Sequence, residues 1–125
     1  MKRRPLRVYV AGAYSDSDVI GVLKNIGRGE EVASQVFKLG FAPFCPWHDR
    51  SYVIGSWRED LQVSKFYEYS LAWLEVSDCV LIVPNTPGLR NFEDSPGTLK
   101  EIEEANALGI PVFYSVEEMV EHYKQ

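Results

Sequence analysis

Runs of β-branched, aromatic and other apolar residues recur along the chain and alternate with longer amphipathic stretches. Such short runs are typical of β-strands, and the run at 79–83 is almost wholly apolar, as expected of a strand covered on both faces. Proline is tolerated only at the first residues of a strand or at a sheet edge, which places Pro111 near the start of the last run. The pattern predicts four strands, at 6–11, 41–44, 79–83 and 110–114.

The stretches between these runs have helical spacing and recognisable helix ends. Apolar side chains repeat at helical intervals from Asn25 to Leu39, and Gly40 suits a C-terminal cap. Ser56-Trp57-Arg58-Glu59 matches a capping box and predicts a long helix through Leu74. Ser95-Pro96 predicts a third helix, which runs to Gly109. A second capping box, Ser115-Val116-Glu117-Glu118, predicts a short terminal helix.

This alternation of strands and helices predicts an α/β fold. We expect one domain, residues 1–125, with a single doubly wound (flavodoxin- or Rossmann-like) parallel sheet of four or five strands and helices on both faces. A strand order near 2-1-3-4 places the ends of the first and third strands side by side. Ligands bind outside the carboxyl ends of strands at such a switch point, where residues 12–18 and 85–97 emerge.

Composition narrows the function classes. The 125 residues, 46% apolar and 25% charged, suit one globular domain, and the net charge of −5 argues against a partner in polymeric nucleic acid. No apolar run approaches the ~20 residues of a membrane span, so no membrane partner is expected. The basic start, Met1 to Pro5, lacks a long apolar segment after it, so we expect no signal peptide and a cytoplasmic protein.

The cysteines and histidines predict no metal site and no disulfide. Cys45 and Cys79 lie in apolar settings without a CxxC partner, so two buried free thiols are expected. His48 and His122 are far apart in the sequence and show no metal-ligand spacing. We expect no metal and no cofactor.

The residues near the switch point carry weak signals individually. Gly12 alone fits an ordinary turn after the first strand, because neither GxGxxG nor a P-loop follows. Ser95 and Gly97 stand at a helix N-terminus that favours an anion, although ordinary N-capping is the better explanation of Ser95 taken alone. Glu101 lies further along that helix, where contact with the sheet would desolvate it, but its spacing alone predicts a solvated side chain like those of Glu103 and Glu104.

Together these residues resemble a known family. Tyr9-Val10-Ala11-Gly12, then Asp78 ahead of an apolar strand, then Ser95-x-Gly97-x-x-x-Glu101 are similar to the nucleoside 2-deoxyribosyltransferase family. That family includes the 2'-deoxynucleoside 5'-monophosphate N-glycosidases and the pyrimidine nucleotide hydrolases. The resemblance extends from about Val8 to Ser115 and is weakest between Pro46 and Ser70.

The resemblance implies chemistry at the anomeric carbon of a sugar. Glu101 matches the nucleophile that attacks C1', Tyr9 the residue that orients it, and Asp78 the residue that assists departure of the base. Two carboxyl groups in these roles correspond to a retaining glycosidase. Water as acceptor gives hydrolysis, and a second base gives deoxyribosyl transfer.

The position six residues before the nucleophile separates the substrate classes of the family. A serine there, as at Ser95, implies a 5'-monophosphate held also by backbone N–H groups of Gly12 and Gly97, with Ser15 replacing a first-loop serine that is Ala13 here. An aspartate there implies a free sugar hydroxyl. The further candidates for substrate contact are Asp94 in the long loop before Ser95, Asn85 at the end of the third strand, and His48 with Asp49 after the second.

Two other interpretations stay open: a nucleotide-binding module without turnover, and a structural domain. Retention of Tyr9, Asp78 and Glu101 together favours the enzyme. The aromatic residues between Trp57 and Trp73 exceed what one face of a small sheet needs. Because such residues are enriched at interfaces, and sites in the family are commonly completed by a neighbouring subunit, we expect a homodimer or higher homo-oligomer.

Overall fold

Four strands alternate with helices in the computed structural model, which describes residues 4–124. Met1 to Arg3, the first part of the basic start on which the expectation about a signal peptide rests, lie outside the described residues. In chain order the elements are β1 (Arg7–Ala11), α1 (Val19–Lys38), β2 (Ala42–Phe44), a 3₁₀ turn (Pro46–Asp49), α2 (Arg50–Gly55), α3 (Val63–Glu75), β3 (Cys79–Ile82), a second 3₁₀ turn (Phe92–Asp94), α4 (Pro96–Ala107), β4 (Val112–Phe113) and α5 (Val116–Tyr123).

The four strands form one parallel sheet in the order β2-β1-β3-β4, which confirms the predicted topology. Val8 pairs with Cys79 and Ala11 with Ile82, while Arg7 pairs with Ala42 at the other side of β1. Because all strands are parallel, their carboxyl ends share one edge of the sheet. The loops after β1, β2 and β3 therefore meet at that edge.

Alternating residues of the two central strands divide the core into two layers. Val8, Val10 and Leu81 face the side covered by α1 and α5, where Val36 and Met119 are buried. On the opposite face, Tyr9, Ala11, Val80 and Ile82 pack against Leu74 of α3 and Ala105 of α4. This two-residue period places Tyr9 on the α4 side of the sheet.

The predicted starts of α4 and α5 are confirmed, whereas the starts of α1 and α3 differ from the predictions. The Ser95 and Ser115 side chains accept hydrogen bonds from Thr98 N and Glu118 N, so both predicted caps are confirmed. Helix α1 begins earlier than predicted, at Val19, because the Asp18 side chain caps it through Gly21 N.

The prediction of a helix starting at Ser56 is wrong. Ser56 ends α2 instead, and its N–H donates to the Tyr52 and Val53 carbonyls. The chain then turns, and α3 begins at Val63. The 3₁₀ turn and α2 were not anticipated, since the apolar residues of this region have no clean helical period.

The structure also bears on the expectations about the cysteines and about a membrane span. Cys45 and Cys79 are free and buried, as predicted. Among residues 4–124, no helix combines the length and the apolar character needed to cross a membrane.

Candidate active site

A cavity of about 300 Å³ opens at the carboxyl edge of the sheet. Its walls come from the segment after β1, the 3₁₀ turn after β2, the start of α3 and the start of α4. The lining residues are Gly12, Tyr14, Ser15, Pro46, Trp47, Asp49, Val63, Phe66, Tyr67, Ser70, Ser95, Pro96, Gly97, Thr98 and Glu101. The cavity thus occupies the switch point that the topology predicts.

Glu101 is the carboxylate on the α4 side of this cavity. Its Oε2 accepts a hydrogen bond from the hydroxyl of Tyr9, a fully buried residue of β1. Burial raises the pKa of Glu101 to about 7, with a further rise from the negative charge of Asp49 and an opposing effect of the Tyr9 hydrogen bond. Burial also raises the pKa of Tyr9, so its hydroxyl stays a proton donor. The structure therefore excludes the solvated interpretation of Glu101.

Asp49 is a second carboxyl group on the cavity. It ends the 3₁₀ turn that follows β2, and it is 4% exposed. Burial raises its pKa above the ordinary value. A cavity with two partly desolvated carboxyl groups, Glu101 and Asp49, has the groups needed for attack at one atom and proton transfer at another.

Ser95 places a hydroxyl at the start of α4. Its Oγ accepts hydrogen bonds from Thr98 N (3.2 Å) and Thr98 Oγ1 (2.9 Å). A serine hydroxyl has two acceptor positions and one donor, so the Ser95 proton stays available to an acceptor in the cavity. Pro96 has no N–H and Thr98 N already donates to Ser95, so the Gly97 N–H and the helix dipole favour a negatively charged ligand at this helix end.

Arg90 places a positive charge beside Ser15, a residue of the cavity lining. Its guanidinium donates from Nη1 to the Ser15 carbonyl and hydroxyl oxygens (3.3 Å each), and from Nη2 to the Asp94 carbonyl (2.6 Å). Arg28 of α1 donates to the Arg90 carbonyl. These bonds connect the loop after β1 with the loop after β3. Arg90 was missed at the sequence level, although it is the one basic residue between Pro84 and Asp94.

Two glycines allow close packing around the cavity. A Cβ on Gly12 would lie 2.9 Å from Val83 Cβ, so the first loop can cross the end of β3 only without a side chain. A Cβ on Gly29 of α1 would lie 2.8 Å from the Trp47 ring. Trp47 is therefore fixed against α1 while its other side lines the cavity.

The prediction of a catalytic role for Asp78 is wrong. Asp78 precedes β3 and so lies at the amino edge of the sheet, opposite the cavity. There its carboxylate accepts from Arg4 Nη1 (2.8 Å) and from Arg7 N (2.7 Å). The hydrogen bond from Arg4 holds the pKa of Asp78 below its usual range. Asp78 therefore links the start of β3 to the start of β1 and to the segment just before it.

Three predicted substrate contacts also lie outside the cavity lining. Asn85 donates to Glu93 Oε1 (2.7 Å) and accepts from Phe92 N (2.8 Å), so it braces its own loop. Asp94 is exposed, and the loop does not carry its carboxylate into the cavity. His48 is exposed and its Nε2 pairs with Glu30 Oε2 at 2.9 Å. Of the predicted contacts, the structure brings together Gly12, Ser15, Ser95 and Gly97.

One group of potential metal ligands occurs within residues 4–124, away from the cavity lining. It comprises Glu30, Cys45 and His48, whose ligand atoms lie within 4.8 Å of one another.

Comparison with known proteins supports the architecture. No protein-family model and no curated protein sequence matches the chain. Among solved structures, the 2-deoxyribosyltransferase of the psychrotolerant bacterium Bacillus psychrosaccharolyticus superimposes with a TM-score of 0.56 at 18% identity, over 85% of this chain and 69% of that one. That enzyme is described as a biocatalyst for the synthesis of nucleosides. The chain therefore has the α/β fold of a nucleoside 2-deoxyribosyltransferase.

Proposed function

We propose that this protein cleaves the N-glycosidic bond of a nucleoside 5'-monophosphate, with Glu101 as the nucleophile. The observation that carries the proposal is the position of Glu101: it lines the cavity, it is held by Tyr9, and its pKa is about 7. A buried carboxylate poised near neutral pH is uncommon in a purely structural role and typical of catalysis. The structural neighbour, a 2-deoxyribosyltransferase, supports nucleosides or nucleotides as the ligand class.

In the first step the ionised Glu101 attacks C1' of the sugar. A C1'–O bond forms while the C1'–N bond breaks, and the electron pair of that bond leaves with the base. Tyr9 keeps the carboxylate in one orientation through its hydrogen bond. The product of this step is a glycosyl ester of Glu101 and a free base.

Asp49 takes the role that the resemblance assigns to Asp78. Its buried carboxyl group faces the same cavity as Glu101, and burial raises its pKa above the ordinary value. We assign it to proton donation to the base. The Asp49 carboxylate then accepts a proton from the water that hydrolyses the ester, which restores both groups. A second base in place of water gives deoxyribosyl transfer, the alternative that the structural neighbour favours.

The 5'-phosphate belongs at the start of α4. Ser95 offers its hydroxyl proton, Gly97 offers its backbone N–H, and Arg90 offers a guanidinium beside Ser15. A positive charge beside Ser15 complements a phosphate dianion in a protein whose net charge is −5. The aromatic side chains of Phe66 and Tyr67 also line the cavity, where a base can stack.

A second copy of the chain is the proposed partner. Apolar side chains of α2, α3 and the segment between them are exposed, among them Trp57 at 71% and Ile54 at 69%. Val63 is exposed and also lines the cavity, so this surface continues into the rim of the candidate site. Exposed apolar patches of this kind mark interaction surfaces. Sedimentation should show a homodimer or larger, and a Trp57→Ser variant should dissociate; a wild-type monomer at micromolar concentration contradicts the proposal.

The test of the reaction is release of free base from a panel of nucleosides and their 5'-monophosphates. Glu101→Gln should lose release by several orders of magnitude and should still bind nucleotide. Glu103→Gln, on the exposed side of the same helix, is the matched control and should be nearly silent. Mass spectrometry of the quenched wild type should detect the glycosyl ester on Glu101. Binding without release by the wild type indicates the binding-module alternative instead.

A further inference from the structure

Three side chains with metal-binding atoms converge beside the 3₁₀ turn after β2. Glu30 comes from α1, Cys45 follows the end of β2, and His48 lies within the turn. Their ligand atoms lie within 4.8 Å of one another, and His48 Nε2 is 2.9 Å from Glu30 Oε2. We propose that Glu30, Cys45 and His48 form a zinc-binding site.

The geometry fits a tetrahedral ion with small side-chain movements. Zinc–sulfur bonds of about 2.3 Å and zinc–nitrogen or zinc–oxygen bonds of about 2.0 Å place neighbouring ligand atoms about 3.3–3.5 Å apart. The Glu30 and His48 side chains are half-exposed and can separate slightly to admit the ion. Cys45 is buried and serves as the fixed ligand. Solvent on the exposed side supplies water for the fourth position.

The donor set favours zinc over Mg²⁺ and Ca²⁺. Thiolate and imidazole are poor ligands for Mg²⁺ and Ca²⁺, which prefer oxygen atoms, whereas zinc accepts sulfur, nitrogen and carboxylate oxygen together. Cysteine binds zinc as the thiolate, so zinc displaces the thiol proton of Cys45 on binding. Besides His48, the charged side chain of Arg50 acts on Glu30.

Zinc here would fix the turn that carries part of the catalytic cavity. His48 stands between Trp47 and Asp49, and both of these residues line the cavity. The ion would join this turn to α1, where Gly29 already contacts the Trp47 ring. The ion itself lies outside the cavity lining, so we assign it a structural role in positioning Asp49. The site is hard to recognise from the sequence because Glu30 is remote from the Cys45-x-x-His48 pair.

The first experiment is a calorimetric titration of chelator-treated, tag-free protein with Zn²⁺ alone. We expect one zinc per chain with submicromolar affinity, and about one proton released per zinc when two buffers of different protonation enthalpy are compared. Zinc should also raise the melting temperature, since a ligand that binds only the folded state stabilises it. Co²⁺ in place of zinc should give a thiolate-to-cobalt charge-transfer band.

Ligand variants and matched controls then locate the ion. His48→Gln alters an exposed side chain, so it should fold normally and bind zinc at least about 100-fold more weakly, beyond the loss typical of residues that only support a ligand. Cys45→Ser should also abolish the charge-transfer band. His122→Gln and Cys79→Ala change the other histidine and the other cysteine, and should bind zinc as the wild type does.

The proposal is overturned if zinc does not bind at micromolar concentrations, if His48→Gln binds as tightly as the wild type, or if the cobalt complex lacks a thiolate band. These readouts do not depend on base release, so the zinc site and the proposed reaction stand or fail separately.

Discussion

The hydroxyl of Tyr9, in the middle of the sheet, donates a hydrogen bond to the carboxylate of Glu101 on α4. Tyr9 is fully buried on the α4 face of β1 and cannot turn to solvent. The bond stabilises the ionised form of Glu101, whereas burial and the charge of Asp49 oppose ionisation. The pKa of Glu101, about 7, therefore results from these opposing effects, and the Tyr9 hydrogen bond can be removed by substitution.

Tyr9→Phe removes the one contributor that favours the carboxylate. The pKa of Glu101 should then rise, by about one unit or more if the bond has the usual strength of a hydrogen bond to a charged group. Base release at pH 7 should fall, and the rising limb of the pH profile of kcat/KM should move to higher pH. Tyr67→Phe, at another tyrosine of the cavity, should leave that limb in place. An unchanged limb in Tyr9→Phe contradicts the role assigned to Tyr9.

Glu101→Gln should change the pH dependence of stability as well as the activity. Because burial raises the folded-state pKa from the ordinary 4.5 to about 7, the folded state binds the proton more tightly than the unfolded state. The wild type therefore loses free energy of unfolding as the pH rises from about 4.5 to 7, in total by about 3 kcal/mol.

Glutamine cannot ionise, so the Glu101→Gln variant does not lose this free energy of unfolding as the pH rises. Denaturant titrations should therefore show the variant gaining stability relative to the wild type between pH 5 and pH 8. A difference between the two proteins that does not change with pH means that Glu101 is not desolvated in solution.

Asp49→Asn should slow departure of the base. The amide cannot donate a proton as the carboxylic acid does, so nucleotides with a poorly leaving base should lose about 10²–10⁴-fold in rate, and those with an easily leaving base much less. Asp94→Asn, outside the cavity, is the control. Equal losses for every leaving group speak against proton donation by Asp49.

The sequence predicted the features that depend on local pattern and strand direction. Four apolar runs and the caps at Ser95 and Ser115 were sufficient for the strand order and for the position of α4. Glu101 follows from these, since α4 begins where β3 delivers the chain to the ligand-binding edge. Strand direction also explains why Asp78 lies away from the cavity. A residue just before a parallel strand lies at the amino edge of the sheet, even when it fits a motif.

The remaining site residues depend on contacts that no local pattern encodes. Asp49 comes from a 3₁₀ turn without a helical period, and its burial results from packing between β2 and the cavity. Arg90 reaches Ser15 across two loops that are 75 residues apart in the chain. Glu30 of α1 reaches His48 across a separation of 18 residues. Irregular segments were therefore the main source of error.

Arg90→Gln should weaken 5'-monophosphates selectively. The variant keeps a hydrogen-bond donor near Ser15 and loses the positive charge there. The apparent affinity for a nucleoside 5'-monophosphate should fall about tenfold or more, while that for the matching nucleoside should hardly change. The difference should shrink at high salt, since exposed charges are screened. Lys38→Gln, at an exposed lysine in the last turn of α1, is the charge-matched control. Equal effects on both ligands contradict phosphate contact by Arg90.

Ser95→Asp tests the other side of the same subsite and decides between the substrate classes. Aspartate is as good an N-cap as serine, so α4 should keep its first turn and the fold its stability. The variant loses the hydroxyl proton of Ser95 and adds a negative charge where we place the phosphate. Binding of the 5'-monophosphate should weaken by about 1–3 kcal/mol, the worth of a hydrogen bond to a charged group, with little change for the nucleoside. Isothermal titration with the catalytically inactive Glu101→Gln background measures both ligands without turnover. If the wild type prefers the nucleoside, or if Ser95→Asp affects both ligands alike, the monophosphate assignment is wrong, and deoxyribosyl transfer between free bases becomes the better account of the cavity.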